Sequence, residues 1–551
     1  MRVRYGAAML EDLAVPAASG DATRPGTCGE LAVQSLALHG VDTVFGIPGT
    51  HNLDLYAHLP GAGIRHVLPR HEQGAGYAAT GWARTSGRPG VVFVTTGPGV
   101  MNLATAAAQA WSDSVPLLIL APGMPRRHPA GGSGYLHEMP SQPRAMEGVV
   151  GRAVRVGSGE ELAQELAAAF ASFASERPRP AYIEIPLDLL SEEAQAEPLT
   201  APTVSAPAPD RQLVARAATA LSETRTVAVI VGGGAAEAGD EVSALIERLE
   251  APVLSTANGK GVVPEDHPLS LGARLNLPAA RELIESAEVV VAIGTELAQS
   301  DLWDGPLRIT GQVIRIDIDP DQAHRGAPAT IALISDARTC LRGLSSALDL
   351  TDRPAPNRES VARVREALTR DVERQGARWL EPLAAIRAVT PRAAIFTADS
   401  AMSCYYGALP ALPVYLPNGF IYPSGFGTLG FSVPAAIGAK LAAPEREVVA
   451  LSGDGGLMFT VAELASAAAL GLSLPVVVFT NLGYGEIRNE MIARGDAAIG
   501  VDLPEPDLPL LARALGCAGV RAADTDALAS ELTDAMERSA PTLIEVPEPD
   551  N

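Results

Sequence analysis

The sequence predicts an α/β protein of three domains, each a doubly wound parallel sheet, and three observations lead to this prediction. The chain has 551 residues, which is too long for a single hydrophobic core. Short apolar runs that suit buried strands alternate with stretches that suit helices, as in parallel α/β sheets. Two polar, Pro-containing segments divide the chain into three parts of similar size.

These segments give the expected domain boundaries. We expect a disordered tail at 1–24, an N-terminal domain at 25–190, a linker at 191–210, a central Rossmann-like domain at 211–348, a linker at 349–372 and a C-terminal domain at 373–551. The tail carries basic residues but no sustained apolar stretch, so it is not a convincing signal peptide.

Composition excludes several classes of partner. The net charge is −22, from 42 basic and 64 acidic residues, which argues against a nucleic-acid or anionic membrane surface. No apolar run approaches the length of about 20 residues that a membrane span needs. The four cysteines are widely spaced and form no CxxC pair, so we expect no disulfide framework and a cytoplasmic location.

The strongest chemical signal is the run VVALSGDGG. It places Asp454 at the carboxyl end of a buried strand, and glycines around it allow backbone N–H groups to approach phosphate oxygens. One strand–helix–strand crossover later, LPVVVFTN delivers Asn481 at the end of the next strand. A carboxylate and an amide oxygen suit Mg²⁺ together with a diphosphate. A lone GDG is usually only a tight turn, but the asparagine and the LGYG that follows it weaken that alternative.

The combined pattern GDGG…TNLGYG resembles the thiamine-diphosphate motif of the acetolactate synthase and 2-oxo-acid decarboxylase superfamily, and the resemblance covers nearly all of residues 25–550. It implies that Asp454, Asn481 and the carbonyl of Gly483 hold Mg²⁺. The family usually has two consecutive asparagines, and here Thr480 replaces the first. The other residues placed around the diphosphate are Gly453, Gly455, Gly456, Tyr484 and Gly485.

Two further segments resemble parts of the same cofactor site. SGFGTLGFSVPAAIGAKLAAPE is similar to the segment that holds the aminopyrimidine, which implies that the Gly427 carbonyl accepts from the 4′-amino group. Leu429 would then lie under the thiazolium; without the motif it would be a core leucine. TADSAMS resembles the loop that wraps the diphosphate, with Met402 and Ser403 where the family often has Gln and His.

The N-terminal segment RHEQGAGYAATGWARTSGRPG resembles the pyrimidine-binding domain of this superfamily. Glu72 stands where the family has the glutamate that hydrogen-bonds the pyrimidine N1′ and activates the cofactor. Pro48 and Gly49, in the GIPG loop, are expected to touch the cofactor. In the family the site lies between the N-terminal domain of one subunit and the C-terminal domain of another, which implies a homodimer or homotetramer.

Several differences from acetolactate synthases and from flavin-dependent members narrow the choice of branch within the superfamily. Acetolactate synthases have a glutamine at the position of Gly123 and a tryptophan at that of Glu490. The central domain lacks the pattern associated with FAD, and VGGGAAEAG alone is too weak to imply a dinucleotide, so FAD is not expected. GIPGTHNLDLY, GYLHEMPSQPRAM and NLGYGEIR most resemble 5-guanidino-2-oxopentanoate decarboxylases. The expected activity is non-oxidative decarboxylation of a 2-oxo acid to an aldehyde.

A guanidinium tail would be recognised by carboxylates. Glu138, Glu486 and Glu490 lie on segments expected near the cofactor, and Thr50 on the GIPG loop is a further candidate for substrate contact. The alternative is that the glutamates are solvated or pair with nearby arginines, Arg488 and Arg494.

Three histidines are candidates for proton transfer, although a lone histidine is more often structural. His51 is the first candidate for the catalytic proton donor and His137 the second, whereas His71 is expected only to help position Glu72. Three rival functions remain open. The first two are a carboligating synthase of the acetolactate type and one resembling carboxyethylarginine synthase. The third is a cofactor-binding paralogue without activity, an idea supported only by Thr480 and Met402.

Overall fold

The structure, a computed structural model, describes residues 26–129, 132–353, 355, 358–504 and 506–548, so the expected tail lies outside the described residues. The described chain forms three sheets whose strand pairings are all parallel, with helices between successive strands. This confirms the predicted fold class.

The N-terminal sheet has the strand order β2-β1-β3-β4-β6-β5. Its strands are β1 (Thr43–Gly46), β2 (Arg65–Val67), β3 (Gly90–Phe93), β4 (Leu117–Gly123), β5 (Arg152–Arg155) and β6 (Ala181–Pro186). Its helices are α1 (Cys28–Leu38), α2 (Leu53–Tyr56), α3 (Glu72–Ser86), α4 (Pro98–Ser112), α5 (Gln142–Val150), α6 (Gly159–Ser175) and α7 (Leu187–Leu190). Helix α1 starts at a side-chain cap, because the Thr27 hydroxyl accepts from the amide of Glu30 at 3.2 Å.

The central sheet has the order β11-β10-β9-β7-β8 and its own apolar core. Its strands are β7 (Val227–Val231), β8 (Val253–Ser255), β9 (Val289–Ile293), β10 (Gln312–Asp317) and β11 (Ile331–Ile334). Its helices are α8 (Arg211–Ser222), α9 (Gly239–Leu249), α10 (Pro278–Glu285), α11 (Gln299–Leu302) and α12 (Ala337–Ala347), with 3₁₀ turns at Gly233–Ala238 and Pro320–His324.

The C-terminal sheet has the order β13-β12-β14-β15-β17-β16, which repeats the connectivity of the N-terminal sheet. Its strands are β12 (Ile395–Ala398), β13 (Phe420–Ile421), β14 (Val448–Gly453), β15 (Pro475–Thr480), β16 (Ala518–Arg521) and β17 (Thr542–Pro547). Its helices are α13 (Arg358–Val389), α14 (Leu409–Ala411), α15 (Ser432–Ala442), α16 (Asp454–Leu457), α17 (Glu463–Ala469), α18 (Gly485–Ala493), α19 (Leu508–Ala514) and α20 (Thr525–Glu537), with a π-helical turn at Ser403–Ala408.

The two expected linkers differ. Apart from an isolated bridge between Glu193 and Thr27, residues 191–210 contain no helix or strand in the described chain. By contrast, α13 occupies the second half of the segment expected as a linker at 349–372, because apolar residues at helical spacing pack it against the central core. No helix in the described ranges, α13 included, combines the length and apolar character needed to cross a membrane.

The N- and C-terminal domains of the chain meet through α3 and α15. A Cβ on Gly81 would lie 2.7 Å from the carbonyl carbon of Ala435, and one on Gly438 would lie 2.7 Å from that of Ala78. The two helices therefore touch backbone to backbone, and one apolar core contains residues from both sheets. This crossing holds in place helix α3, whose first residue is Glu72.

Candidate active site

The clamp predicted at the C-terminal sheet is assembled by two adjacent strands. β14 and β15 pair in parallel with Gly453 opposite Phe479, so their carboxyl ends reach the same edge of the sheet. Asp454 follows the first strand directly and Asn481 follows the second. The fold thus brings the two predicted metal ligands to one edge, as the crossover spacing indicated.

Asp454 lies in a largely buried, amide-rich setting. Burial raises the pKa of its carboxyl group above the ordinary value, although the backbone amides of Gly455, Leu482 and Gly483 oppose the shift. The Gly455 amide donates to its Oδ1 at 2.9 Å. A buried carboxylate that forms no ion pair with the described residues has a natural partner in a metal ion.

Asn481 offers the complementary ligand. Its Oδ1 is buried and has no hydrogen-bond partner among the described residues. Buried amide oxygens are normally satisfied, so an orphaned one beside a buried carboxylate fits a cation. The described residues contain no cluster of three or more His, Cys, Asp or Glu suited to a metal. A metal here would therefore rely on Asp454, Asn481, a backbone carbonyl and oxygens of its ligand.

The glycines of the clamp are required by close packing. A Cβ on Gly455 would lie 3.0 Å from the Tyr484 ring, and one on Gly456 would lie 3.0 Å from a carboxylate oxygen of Asp399. Gly483 has φ +157°, and a Cβ there would overlap the carbonyl of Val501. A side chain at any of these glycines would therefore displace the packing around the clamp, while the approach of backbone N–H groups to a diphosphate stays a prediction.

The segment predicted to hold the aminopyrimidine is tied to the clamp by Asp399, which the sequence analysis did not single out. This carboxylate accepts from the amide of Gly430 at 3.0 Å and from the Ser452 hydroxyl at 3.2 Å. Burial raises its pKa to about 6, against these hydrogen bonds. Gly427 is exposed at φ +66° and Leu429 is half-buried, so neither belongs to the core.

Met402 and Ser403 begin the π-helical turn at the end of the diphosphate loop. The Met402 sulfur touches the α18 segment, since a Cβ on Gly485 would lie 3.1 Å from it. The Ser403 side chain is buried. Met402 therefore lies next to the clamp, whereas Ser403 is buried.

Glu72 is the first residue of α3 and is nearly buried. Its Oε2 accepts from the Asn102 side chain at 3.0 Å, and the His71 ring accepts from the Gln73 amide and so caps the helix. Nearby, the Glu463 carboxylate of the C-terminal domain accepts from the amides of Arg70 and His71 at 3.0 Å. The loop that presents Glu72 is therefore anchored from both domains.

The two histidine candidates are brought together, although they are far apart in sequence. The rings of His51 and His137 pack edge to face with centroids 5.1 Å apart, and each Nδ1 is buried without a hydrogen-bond partner in the described chain. Burial lowers the pKa of His51, and the neighbouring His137 lowers it further. His137 adopts φ +63° and lines a cavity of about 310 Å³.

The GIPG loop carries the remaining N-terminal candidates. The backbone N–H of Gly49 donates to the side-chain oxygen of Asn52 at 2.7 Å, and the side-chain nitrogen of Asn52 donates to the Ile47 carbonyl at 3.1 Å. A Cβ on Gly49 would lie 2.9 Å from the Thr95 hydroxyl. This compact turn leaves Pro48 and Thr50 exposed, next to His51.

The three candidate glutamates have different surroundings. The Glu138 carboxylate accepts from the amides of four residues, Gly132, Ser133, Gly134 and Tyr135. Burial would raise the pKa of Glu138, but these hydrogen bonds hold it below the ordinary value. Its oxygens are already engaged by the loop. Glu490 is exposed on α18, and Glu486 accepts from the Tyr406 hydroxyl at 2.8 Å.

The two arginines that are alternative partners of the glutamates form ion pairs with other carboxylates. Arg488 forms an ion pair with Asp502 at 2.8 Å and Arg494 with Asp496 at 3.0 Å. Within the described residues no basic side chain forms an ion pair with Glu486. Its carboxylate is therefore available to a cationic ligand.

A larger cavity, of about 590 Å³, lies between the three domains. It is lined by Gly232, Gly233 and Gly234 after β7 and by acidic residues such as Asp301, but by none of the predicted site residues. This cavity is therefore separate from the predicted site residues.

Three residues that shape the site were not predicted from the sequence: Asn102, Asp399 and Glu548. Glu548 follows β17, and its amide donates to the Thr480 carbonyl at 2.9 Å. Burial raises the pKa of its carboxyl group, against the side chains of Trp379, Arg378 and Asn481 that lie beside it. A polar residue directly after a strand at the same sheet edge is the signal that could have identified Glu548.

Comparisons with known proteins agree with this architecture. Three family models match: the N-terminal thiamine pyrophosphate (TPP) binding domain of thiamine pyrophosphate enzymes over residues 26–144, their central domain over 214–344 and their C-terminal TPP binding domain over 401–546.

Full-length relatives agree as well. The chain is 42% identical to a protein of Pseudomonas aeruginosa named as a probable 2-ketoarginine decarboxylase, over 94% of each chain. It is 32% identical to an acetolactate synthase large subunit of Parasynechococcus marenigrum, over 96% of this chain and 88% of the relative. It is also 32% identical to a sulfoacetaldehyde acetyltransferase of Rhodobacter capsulatus, over 94% of each. With all three domain models and these relatives matched, the chain belongs to the thiamine pyrophosphate enzymes.

Proposed function

We propose that this protein uses thiamine diphosphate to decarboxylate 5-guanidino-2-oxopentanoate non-oxidatively, which gives 4-guanidinobutanal and CO₂. The observation that carries the proposal is the carboxylate of Glu486, which accepts from Tyr406 but forms no ion pair within the described residues, on the same segment as the predicted metal ligand Asn481. The likeness to the probable 2-ketoarginine decarboxylase supports it, since 2-ketoarginine is the same 2-oxo acid.

The residues present fit the cofactor. Asp454, the orphaned Oδ1 of Asn481 and the carbonyl of Gly483 would hold Mg²⁺, and the backbone at Gly455 and Gly456 would face the diphosphate. Gly453, Tyr484, Gly485, Met402 and Ser403 would complete that surface, while Pro48, Gly49, Gly427 and Leu429 would face the rings. When bound, the cofactor supplies the electron sink that lets CO₂ leave.

The chain's own groups would handle the protons. Glu72, oriented by Asn102, would hold a proton at the aminopyrimidine. His51 and His137 would deliver the proton that the product aldehyde needs, because each ring nitrogen Nδ1 has no partner in the described chain. Glu72→Gln should abolish deuterium exchange at the cofactor C2 while sparing cofactor binding; exchange near the wild-type rate would contradict this role.

Glu486 would bind the guanidinium tail, with Glu490 and Thr50 nearby and Glu138 shaping the loop beside His137. The test is to incubate the protein with Mg²⁺, thiamine diphosphate and a panel of 2-oxo acids, and to measure CO₂ and organic products. The proposal expects the guanidino acid to give the highest kcat/KM and an aldehyde as sole organic product. Preference for pyruvate would contradict it.

The carboligating alternatives predict a product that joins two carbonyl substrates, so the same panel run with pairs of 2-oxo acids or with arginine separates them. One observation disfavours the acetolactate synthase reaction. A Cβ on Gly123, where those enzymes have glutamine, would overlap the Glu184 carboxylate. A non-catalytic paralogue would bind thiamine diphosphate and consume none of the acids.

We also propose that the working unit is a homodimer or homotetramer with active sites between subunits. Large apolar side chains are exposed beside the clamp segments, at Phe426, Phe459, Leu482 and Ile487. Such a patch suits a covering protein surface. Mixing inactive Glu72→Gln and Asn481→Ala proteins should then restore part of the activity. No recovery after the subunits exchange would contradict shared sites.

The buried, free cysteines are consistent with a cytoplasmic location.

A further inference from the structure

Glu486 is held within a cluster of aromatic side chains from two domains. Tyr405 and Tyr406 lie on the π-helical turn of the C-terminal domain, and their ring centroids are 4.6 Å apart. Trp303, from the central domain, packs edge to face on both, at 6.1 Å from Tyr405 and 5.5 Å from Tyr406. All three aromatic residues and Glu486 are half-buried, so the cluster keeps a face open to a ligand.

The carboxylate of Glu486 is fixed by this cluster without being neutralised. The Tyr406 hydroxyl donates to it at 2.8 Å. Burial and the charge of Glu486 both raise the pKa of the two tyrosines, so their hydroxyls stay protonated and can donate. Because the described chain pairs no basic side chain with Glu486, its charge remains to be balanced from outside.

Two backbone features indicate that the cluster is built for a purpose. A π-helical turn is rare and recurs at functional sites, and here it presents two successive tyrosines toward α18. Trp303 has φ +54° and ψ −62°, a conformation that a bulky residue rarely adopts. Its indole nitrogen donates to the Ser300 carbonyl at 3.0 Å, which fixes the ring.

We propose that Trp303, Tyr405 and Tyr406 are specificity residues that, together with Glu486, form a pocket for the planar cation of the substrate tail. Aromatic faces attract cations, and a guanidinium both stacks on rings and bonds a carboxylate through two N–H groups. The pocket adjoins the clamp, since Glu486 follows Gly485, which packs against Met402. The central domain therefore takes part in choosing the substrate. This inference rests on the proposed function.

The kinetic test compares three 2-oxo acids of similar length, whose tails end in a guanidinium, an ammonium or a methyl group. Trp303→Leu and Tyr406→Leu should raise KM for the guanidino acid by about 3- to 30-fold, and by clearly less for the methyl-ended acid. Tyr406→Phe, which keeps the ring, should lose less than Tyr406→Leu. Equal effects on the guanidino and methyl-ended acids would overturn the proposal. An ammonium acid affected as strongly as the guanidino acid would overturn the claim of planar recognition.

A matched control is Tyr415→Leu. The Tyr415 ring stacks on Arg392 and not on the cluster, and the guanidinium carbon of Arg392 lies 4.1 Å from the ring centroid. The Tyr415→Leu protein should rank the three 2-oxo acids by KM in the same order as the wild-type protein. If it changed the ranking as the cluster variants do, the proposal would fail. Near-ultraviolet circular dichroism of each variant shows whether it folds.

A binding measurement separates this proposal from the proposed function. 4-Guanidinobutanoate has the tail but no 2-oxo group, so it can bind without reacting. Titrated calorimetrically into the protein loaded with Mg²⁺ and thiamine diphosphate, it should bind, and Glu486→Gln and Trp303→Leu should weaken its binding. Binding that is equal in all variants overturns the pocket even if the guanidino acid is turned over. Variant-sensitive binding without turnover supports the pocket and refutes the proposed function.

Discussion

Substituting Gly438 by alanine tests the closest contact between the N- and C-terminal domains. A Cβ there would fall on the carbonyl group of Ala78, 2.7 Å from its carbon, and 2.8 Å from the amide nitrogen of Trp82. Carbon atoms pack at about 3.5–4.0 Å, so α15 would have to move about 1 Å away from α3. Both opposing groups are backbone, and no side-chain rotation can relieve the overlap.

The cost follows from where the overlap lies. Extra atoms forced into a packed core cost about 1–3 kcal/mol, and a backbone overlap in the core shared by two sheets belongs at the upper end, about 3 kcal/mol. The control is Gly148→Ala on α5, where a Cβ meets nothing within 4 Å and alanine should stabilise the helix by about 0.5–1 kcal/mol. Urea unfolding followed by circular dichroism measures both. If the two variants shifted the free energy of unfolding in the same direction, the helix crossing described here would be wrong.

Three further changes probe the site and the interdomain cavity. Burial raises the pKa of Asp301 to about 7, so the ionised carboxylate opposes folding. This destabilisation is absent below the pKa of the group in the unfolded chain, about 4, and grows as the pH rises to 7. Asp301→Asn should therefore raise the melting temperature more at pH 8 than at pH 5, and a constant gain would refute this. Glu548→Gln should increase the Mg²⁺ concentration needed for cofactor binding by about 10-fold or more, because the side chain that lies against Asn481 changes; an unchanged requirement would remove Glu548 from the clamp. Asn102→Ala should slow cofactor C2 exchange less than Glu72→Gln does, since it removes only the group that orients Glu72; a loss as complete as that of Glu72→Gln would mean that Asn102 acts directly.

Structure could be predicted from the sequence where the local pattern and the chemistry of the residues coincide. β14 and β15 are continuous apolar runs that end in polar residues, so Asp454 and Asn481 could be placed at strand ends and, by the crossover rule, at one sheet edge. Each of these predictions depends on contacts between neighbours in the chain or on adjacent strands.

What the sequence could not supply are contacts between distant segments. His51 and His137 meet only because the loops after β1 and β4 fold together, and no spacing rule connects them. The partner of Glu486 is Tyr406, 80 positions away, on a π-helical turn that no periodicity predicts. Helix α13 was hidden because the polar, Pro-containing run before it resembles a linker, while its apolar stripe is sparse and faces another domain.

The core shared across α3 and α15 also has a thermodynamic consequence. Since the N- and C-terminal sheets bury apolar residues in one cluster, neither can open without exposing surface of the other, and the two should melt as one cooperative unit. The central sheet has a core of its own. Heat or denaturant should therefore produce two unfolding transitions in the monomeric chain. One is the unfolding of the central domain, whose residues are contiguous in sequence. The other is the joint unfolding of the N- and C-terminal domains, which the central domain separates in sequence. In this protein the folding unit and the order of the sequence do not coincide.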